Sequence, residues 1–187
     1  MTVEELLQRY AAGERDFRGS SLYGACFIQT NLSGINLSGS ELKRVKMIAA
    51  NLEGANVSEC VLDGADLTGA ILRRTNFQNS IFGGTLLIGA NCREADFRGA
   101  QMYQACLRGA IFFRANLRNA DLGTTNIFGT EFIEADMRGV NLDEARGSAN
   151  FTKSNLSGAI IYEIETRLKG SIFDQAILPE GISISHS

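Results

Sequence analysis

Two aspartates, Asp96 and Asp136, raise the first chemical question, because paired carboxyls are the usual equipment for general acid and base work. Three arginines, Arg98, Arg118 and Arg138, recur every twenty residues beside them and could line up to hold an anion or an acidic partner. Four thiols, Cys26, Cys60, Cys92 and Cys106, are the other reactive groups, yet no two form a C-x-x-C pair and the sole histidine, His186, is second from the end. A metal site needs several such ligands converging, so none is expected, and the spread of the cysteines predicts free thiols. Glycines recur often enough to imitate G-x-x-x-x-G, but none sits in a phosphate-loop context. The sequence therefore predicts no catalytic residue, no cofactor and no enzyme.

What positions these groups is a repeat. Starting at Phe17, every fifth residue is apolar as far as Leu142, 26 times in succession, through Leu22, Phe27, Leu32, Leu67, Cys92, Phe112, Phe132 and Met137. Take that residue as the centre of a unit. Two residues before it stands Ala in 13 units and Ser, Thr or Cys in nine more; just before it stands Asn or Asp in 14; two after it stands Gly in 13. The consensus is A-[N/D]-L-x-G, as in Ala50-Asn51-Leu52-Glu53-Gly54. A period of five suits neither a helix nor a continuous strand, but it suits a short extended segment followed by a tight turn. The small residue and the centre then face inward, while the Asn or Asp and the residue after the centre face outward. Composition agrees, with 20 Gly against one Pro and no Trp. Cys60 at a small position and Cys92 at a centre are packing residues on this reading.

These residues resemble the pentapeptide-repeat family. The resemblance implies an all-β fold, a right-handed quadrilateral β-helix in which four units make one coil of twenty residues. Division into fours puts Arg98, Arg118 and Arg138 on one face and Asp96 and Asp136 at matching positions two coils apart, so the period alone explains the acidic pair. Ile111, Phe113 and Ile133 share another face, with Phe128 on the adjoining one, and Ile28, Ile48, Leu86 and Ile88 add further outward apolar positions. The Arg row reads either as an anion site or as a row compensated by Asp96, Asp136 and solvent. The apolar group reads either as a contact patch for a protein partner or as side chains that steady stacked strands.

The ends are less regular. Thr2 and Glu5 form a capping box before Val3, Leu6, Leu7 and Tyr10 at helical spacing, which predicts a helix over 3–12 lying across the first coil. A helix leading directly into the repeats resembles the cyanobacterial branch of the family. After Leu142 the next centres are Phe151, Leu156 and Ile161, one residue short of register, which predicts a bulge or altered corner within Asp143–Ala149. The stretch Tyr162–Gly170 breaks the pattern and reads as a loop; Phe173 and Leu178 resume it before a polar tail. The organisation expected is one solenoid over 1–187, with a helical cap at 1–14, regular repeats at 15–144, irregular repeats at 145–178 and a tail at 179–187.

Net charge is −3, so no bulk basic field draws nucleic acid, and the N-terminus carries neither a secretory nor a spanning segment. The reading is a cytoplasmic, non-enzymatic interaction or regulatory scaffold that binds a protein, a monomer or weak homodimer with no expected nucleic-acid or membrane contact. The family resemblance implies an alternative, mimicry of DNA at a type II topoisomerase such as gyrase. Against it, residues 15–144 hold 14 acidic and 13 basic side chains, a net of −1, whereas duplex DNA carries roughly 18 phosphates over about 30 Å. The register makes a prediction of its own. Leu67→Asp buries an unpaired carboxylate and is expected to abolish cooperative folding by circular dichroism, whereas a wild-type melting midpoint would place the centres elsewhere.

Overall fold

The five backbone N–H groups of one unit explain the architecture. The computed structural model describes residues 1–182. In the unit centred on Leu52, Asn51 N donates back to Thr30 O of the preceding coil at 2.9 Å, while Leu52 N and Gly54 N donate forward to Ile71 O and Arg73 O at 2.8 and 2.9 Å. Ala55 N, the first of the next unit, closes the turn onto Leu52 O at 2.9 Å. The fifth donor, Glu53 N, is met by the Asn51 side-chain Oδ1 at 2.9 Å. The same side-chain bond recurs from Thr68 N to Asp66 and from Asp143 N to Asn141. Asn and Asp are thus preferred before the centre because they answer the donor that no carbonyl reaches.

Coils stack by parallel pairing twenty residues apart, as in Asn51 with Ile71 and Ile71 with Asn91. One residue per face is bridged, so the short extended segments that the period implies are isolated bridges separated by turns. Each turn carries its positive φ two residues after the centre, which is the type II arrangement. Glycine serves this where it stands, yet 16 other residues adopt the same conformation, among them Gln29 (φ 56°), Arg74 (φ 54°) and Glu134 (φ 57°). A left-handed non-glycine residue costs on the order of 1–2 kcal/mol, so the ladder enforces the corner whichever side chain sits there.

The interior is a column. Every centre from Phe17 to Leu142 is buried. Phenylalanines on the same face stack at the coil repeat, with ring centroids 4.9 Å apart for Phe77 and Phe97, 5.2 Å for Phe112 and Phe132, and 5.2 Å for Phe132 and Phe151. At the buried small positions, polar side chains find a carbonyl of the preceding coil: Thr75, Ser80, Thr85 and Thr130 donate to Leu52, Val57, Leu62 and Leu107. Cys60 Sγ makes the same contact with Leu37 O at 3.0 Å. Smallness is therefore only half of the rule: most buried hydroxyls and the Cys60 thiol are satisfied, Thr125 by Leu122 O three residues before it, while Ser154 Oγ is buried without a partner among the described residues. Burial pushes the Cys60 thiol up to about 11 and raises that of Cys92 as well, so neither is a ready nucleophile. All four cysteines are free.

Helix α1, Val3–Ala11, ends one residue before the expected limit. Thr2 caps it by accepting from Glu5 N, Leu6 is buried in the column, Tyr10 Oη donates to Ser33 O at 2.8 Å, and Arg9 lies 5.2 Å over the Phe17 ring.

At the other end the register loss is sharper than a bulge. Asn126 pairs with Arg146, twenty residues on, but Glu131 pairs with Asn150, nineteen on. The lost residue is the corner between Ser148 and Ala149, and Gly147 takes the place of a centre with no side chain to offer the core. Its φ is 114°, and a Cβ there would lie 2.7 Å from Phe128 N. The following stretch is not simply a loop. Helix α2, Ile164–Arg167, replaces a corner, and Leu168 behind it returns to the core. Gly147 N bonds Arg167 O at 3.3 Å, and the coil ends with Asn150 opposite Ile172 and Asn155 opposite Ile177. His186 and the rest of 183–187 lie outside the described residues.

An ordinary corner and Gly147 should respond differently to a methyl group. At Gly69 a Cβ would point into open space, and its φ is shared by many other residues here, so Gly69→Ala is expected to cost about 1 kcal/mol. Gly147→Ala also collides with backbone, and a larger fall in thermal midpoint is expected; equal falls would show that the break tolerates a side chain.

Candidate interaction surface

The Arg row is built from the same local device as the repeat. An Asp before the centre accepts the backbone N–H of the residue after it, and an Arg at that second position folds back onto the same carboxylate. Arg98 reaches Asp96 at 2.7 Å, Arg138 reaches Asp136 at 2.6 Å, and Arg18 reaches Asp16 at 2.7 Å on the same face. Arg118 follows Asn116 instead, whose Oδ1 accepts Arg118 N, and it has no ion pair among the described residues. Between Arg98 and Arg118 lies a shallow groove of about 370 Å³, lined also by Gln78, Asn79 and Asn119. The row is thus two neutralised ends around one guanidinium that lacks an ion pair.

The aspartates read as possible acid–base groups are occupied structurally. The Arg138 hydrogen bond holds the Asp136 carboxyl below its ordinary value against the opposing effect of burial. Burial pushes Asp96 the other way, but hydrogen bonds from Arg98 and Gln78 outweigh it and leave this carboxyl lowered too. A general acid at neutral pH needs the opposite shift.

The four apolar residues on the neighbouring faces are not equivalent. Ile111, Phe113 and Ile133 are half-buried by the coils above and below them. Phe113 is further covered by Arg114, whose guanidinium stands 4.8 Å over the ring while bonding Glu134 at 2.7 Å. Phe128 differs, at 56% exposure. Of the other outward apolar positions, Ile28 and Leu86 are exposed and Ile48 and Ile88 half-buried.

Phe128 also borders an open groove of about 650 Å³ lined by Arg108, Thr124, Asn126, Glu144, Arg146 and Gly147. The groove lies where the register is lost, beside a coil that has Gly147 in place of a central side chain. Sequence periodicity missed it, because periodicity averages over units and this feature comes from a unit that fails. The signal that could have found it is the coincidence of an outward Phe with a missing residue one coil later.

Family comparison decides the lineage. The sequence model described as pentapeptide repeats matches residues 16–39, 40–84, 82–114 and 112–143, eight copies in all. The chain belongs to the pentapeptide-repeat family. Its stack of four-unit coils is therefore the right-handed quadrilateral β-helix of the pentapeptide-repeat proteins. Among solved structures it is similar to HetL, a pentapeptide-repeat protein involved in heterocyst differentiation regulation from the cyanobacterium Nostoc sp. strain PCC 7120. The identity is 25%, over 98% of this chain and 100% of that one, with a TM-score of 0.40. A trypsin-treated form of QnrB1, a plasmid-mediated fluoroquinolone resistance protein, is 18% identical over 89% of this chain and 84% of its own, with a TM-score of 0.55; that likeness concerns the fold alone. The pentapeptide-repeat protein alr5209 of the same Nostoc strain is 30% identical over 60% of this chain and 84% of its own, with a TM-score of 0.31. No curated protein matches by sequence. Among the described residues of this pentapeptide-repeat chain, no cluster of His, Cys, Asp or Glu could hold a metal, and no helix is long and apolar enough to cross a membrane.

The Asp136–Arg138 pair carries a pH signature. A carboxyl whose folded pKa is depressed contributes stability that is present above its unfolded value, about 3.9, and is lost as pH falls through the lower folded value. Arg138→Ala is expected to return the Asp136 titration, followed by carboxyl NMR, towards the ordinary range and to weaken stability at neutral pH more than at pH about 2. An unmoved Asp136 titration would assign its depression to the backbone instead.

Proposed function

We propose that this chain is a non-enzymatic protein-interaction scaffold of the cytoplasm, one solenoid over its whole length with α1 as its N-terminal cap, and that it binds its partner through the outer surface around Phe128. The observation that carries this reading is the exposure of an aromatic ring at the lip of a groove, in a protein whose other phenylalanines on that stretch are buried or half-buried. Exposed aromatic rings beside recesses are the usual anchors of protein interfaces, because the ring contributes a large buried area at little conformational cost. Ile111, Phe113 and Ile133, half-buried on the adjoining face, would form the flank of the contact, whereas the Arg98, Arg118 and Arg138 row, on the face opposite Phe128, would be a separate polar contact.

Mimicry of DNA draws no support from the charge layout, since Arg98 and Arg138 neutralise the acids on their own face. Each would meet the basic DNA groove of a topoisomerase with like charge, at a cost that can reach several kcal/mol.

Affinity capture from the native cell, with wild type set against Phe128→Asp, tests the proposal. Phe128 is outside the core, so the substitution should change stability by no more than about 0.5 kcal/mol while removing a specific protein from the captured set. The same yield of every protein from both baits would sink the reading, and potent inhibition of gyrase supercoiling by the purified chain would replace it with mimicry.

A further inference from the structure

Most arginines of this surface already have an internal partner. Arg9, Arg18, Arg73, Arg74, Arg98, Arg114, Arg138 and Arg167 stand in ion pairs, Arg93 bonds Asn91, and Arg15 stacks on Tyr10. Among the described residues, the guanidinium groups of Arg44, Arg108, Arg118 and Arg146 have no such partner, and two of these four, Arg108 and Arg146, line the single groove that Phe128 borders. Both are exposed, one on the coil before Phe128 and one on the coil after it. Gly147 lines the groove and lies so close to the Phe128 backbone that a Cβ there would strike it. An exposed ring, two uncommitted guanidinium groups on either side of it and a recess between them therefore occur together, at the one place where the regular repeats lose a residue.

Resting on the scaffold reading above, we propose that this groove binds a short acidic segment of a partner protein, with an apolar side chain on Phe128 and a carboxylate to each of Arg108 and Arg146. Guanidinium groups recognise carboxylates through paired, charge-assisted hydrogen bonds, and arginines without internal carboxylates lose no existing pair when they do so. Two coil steps separate the arginines along the axis, on the order of 10 Å, which an extended peptide covers in about three residues. The segment that fits is therefore acid, two residues of which one is apolar, then acid. Glu144 lines the same groove and opposes a third negative charge. That carboxylate also disfavours single-stranded nucleic acid, which needs a continuous basic track for its phosphates as well as a ring for its bases.

The test uses the full chain and a fluorescein-labelled peptide, Gly-Ser-Asp-Leu-Leu-Asp-Ser-Gly, followed by fluorescence anisotropy. Saturable binding is expected, weakened about tenfold or more by Arg108→Glu and by Arg146→Glu, and suppressed at roughly 0.5 M salt. Arg18→Glu, on another face and the first coil, should leave it unchanged. The proposal is overturned if the peptide does not bind, if both groove variants bind it as wild type does, if a peptide with Lys for Asp binds equally, or if a thymidine oligonucleotide binds more tightly. Failure here is separable from failure of the scaffold reading. Should Phe128→Asp lose a captured protein that both arginine variants retain, the scaffold stands and the acidic chemistry falls.

Discussion

Every part of this molecule depends on disposing of five backbone donors per unit. Three go to neighbouring coils, one closes the turn, and one is answered, in the units that carry Asn or Asp before the centre, by that side chain. Because the three inter-coil bonds run along the axis, no coil is complete without the next, and stability is a sum of nearest-neighbour terms. The column of Leu and Phe then fills whatever the ladder encloses. This order of causes explains why Ala, Ser, Thr and Cys alternate at one buried position, since at Cys60, Thr75 and Ser80 the hydroxyl or thiol borrows a carbonyl of the preceding coil.

The same accounting governs the surface. Apart from the corner residue, the residue before the centre and the residue after it are the ones that point outward on each face, and the first is often committed to its Asx bond. Where that residue is Asp and the outer one Arg, as at Asp96 with Arg98, the pair neutralises itself and offers a partner little. Where the acid is absent, the arginine is left available, as at Arg118 after Asn116 and at Arg108 after Cys106. The upstream residue is not the whole account, since Arg73, after Ile71, is taken by Glu53 of the preceding coil and Arg93 bonds its own Asn91.

The period of five made the centres, the corners and the faces legible, because one apolar residue in five over so long a stretch admits few backbones. It also located the helix α1, from Thr2 and the spacing of Leu6 and Tyr10. The function of Asn and Asp was not legible, since outward orientation alone does not reveal which donor lacks a carbonyl. Nor were α2 and Leu168, which sit in Tyr162–Gly170 where no period exists to be read. Of the residues singled out for contact, outward alternation placed Phe128 and Phe113 alike. Their difference comes from Arg114, a corner residue whose direction depends on its pairing with Glu134 one coil away.

The two altered corners share one property. The coil that lacks a residue after Ser148 and the coil lengthened by α2 both resume pairing with inward residues still inward, as Asn150 opposite Ile172 shows. A change of one residue within a bridged wall would turn every later side chain inside out. Length can therefore vary at a corner and nowhere else, whereas a whole coil can be added or deleted without turning any face. For a gene, this makes twenty codons the safe unit of duplication, and it makes the corners the places where descendants of one solenoid can acquire private shapes while keeping a common rod.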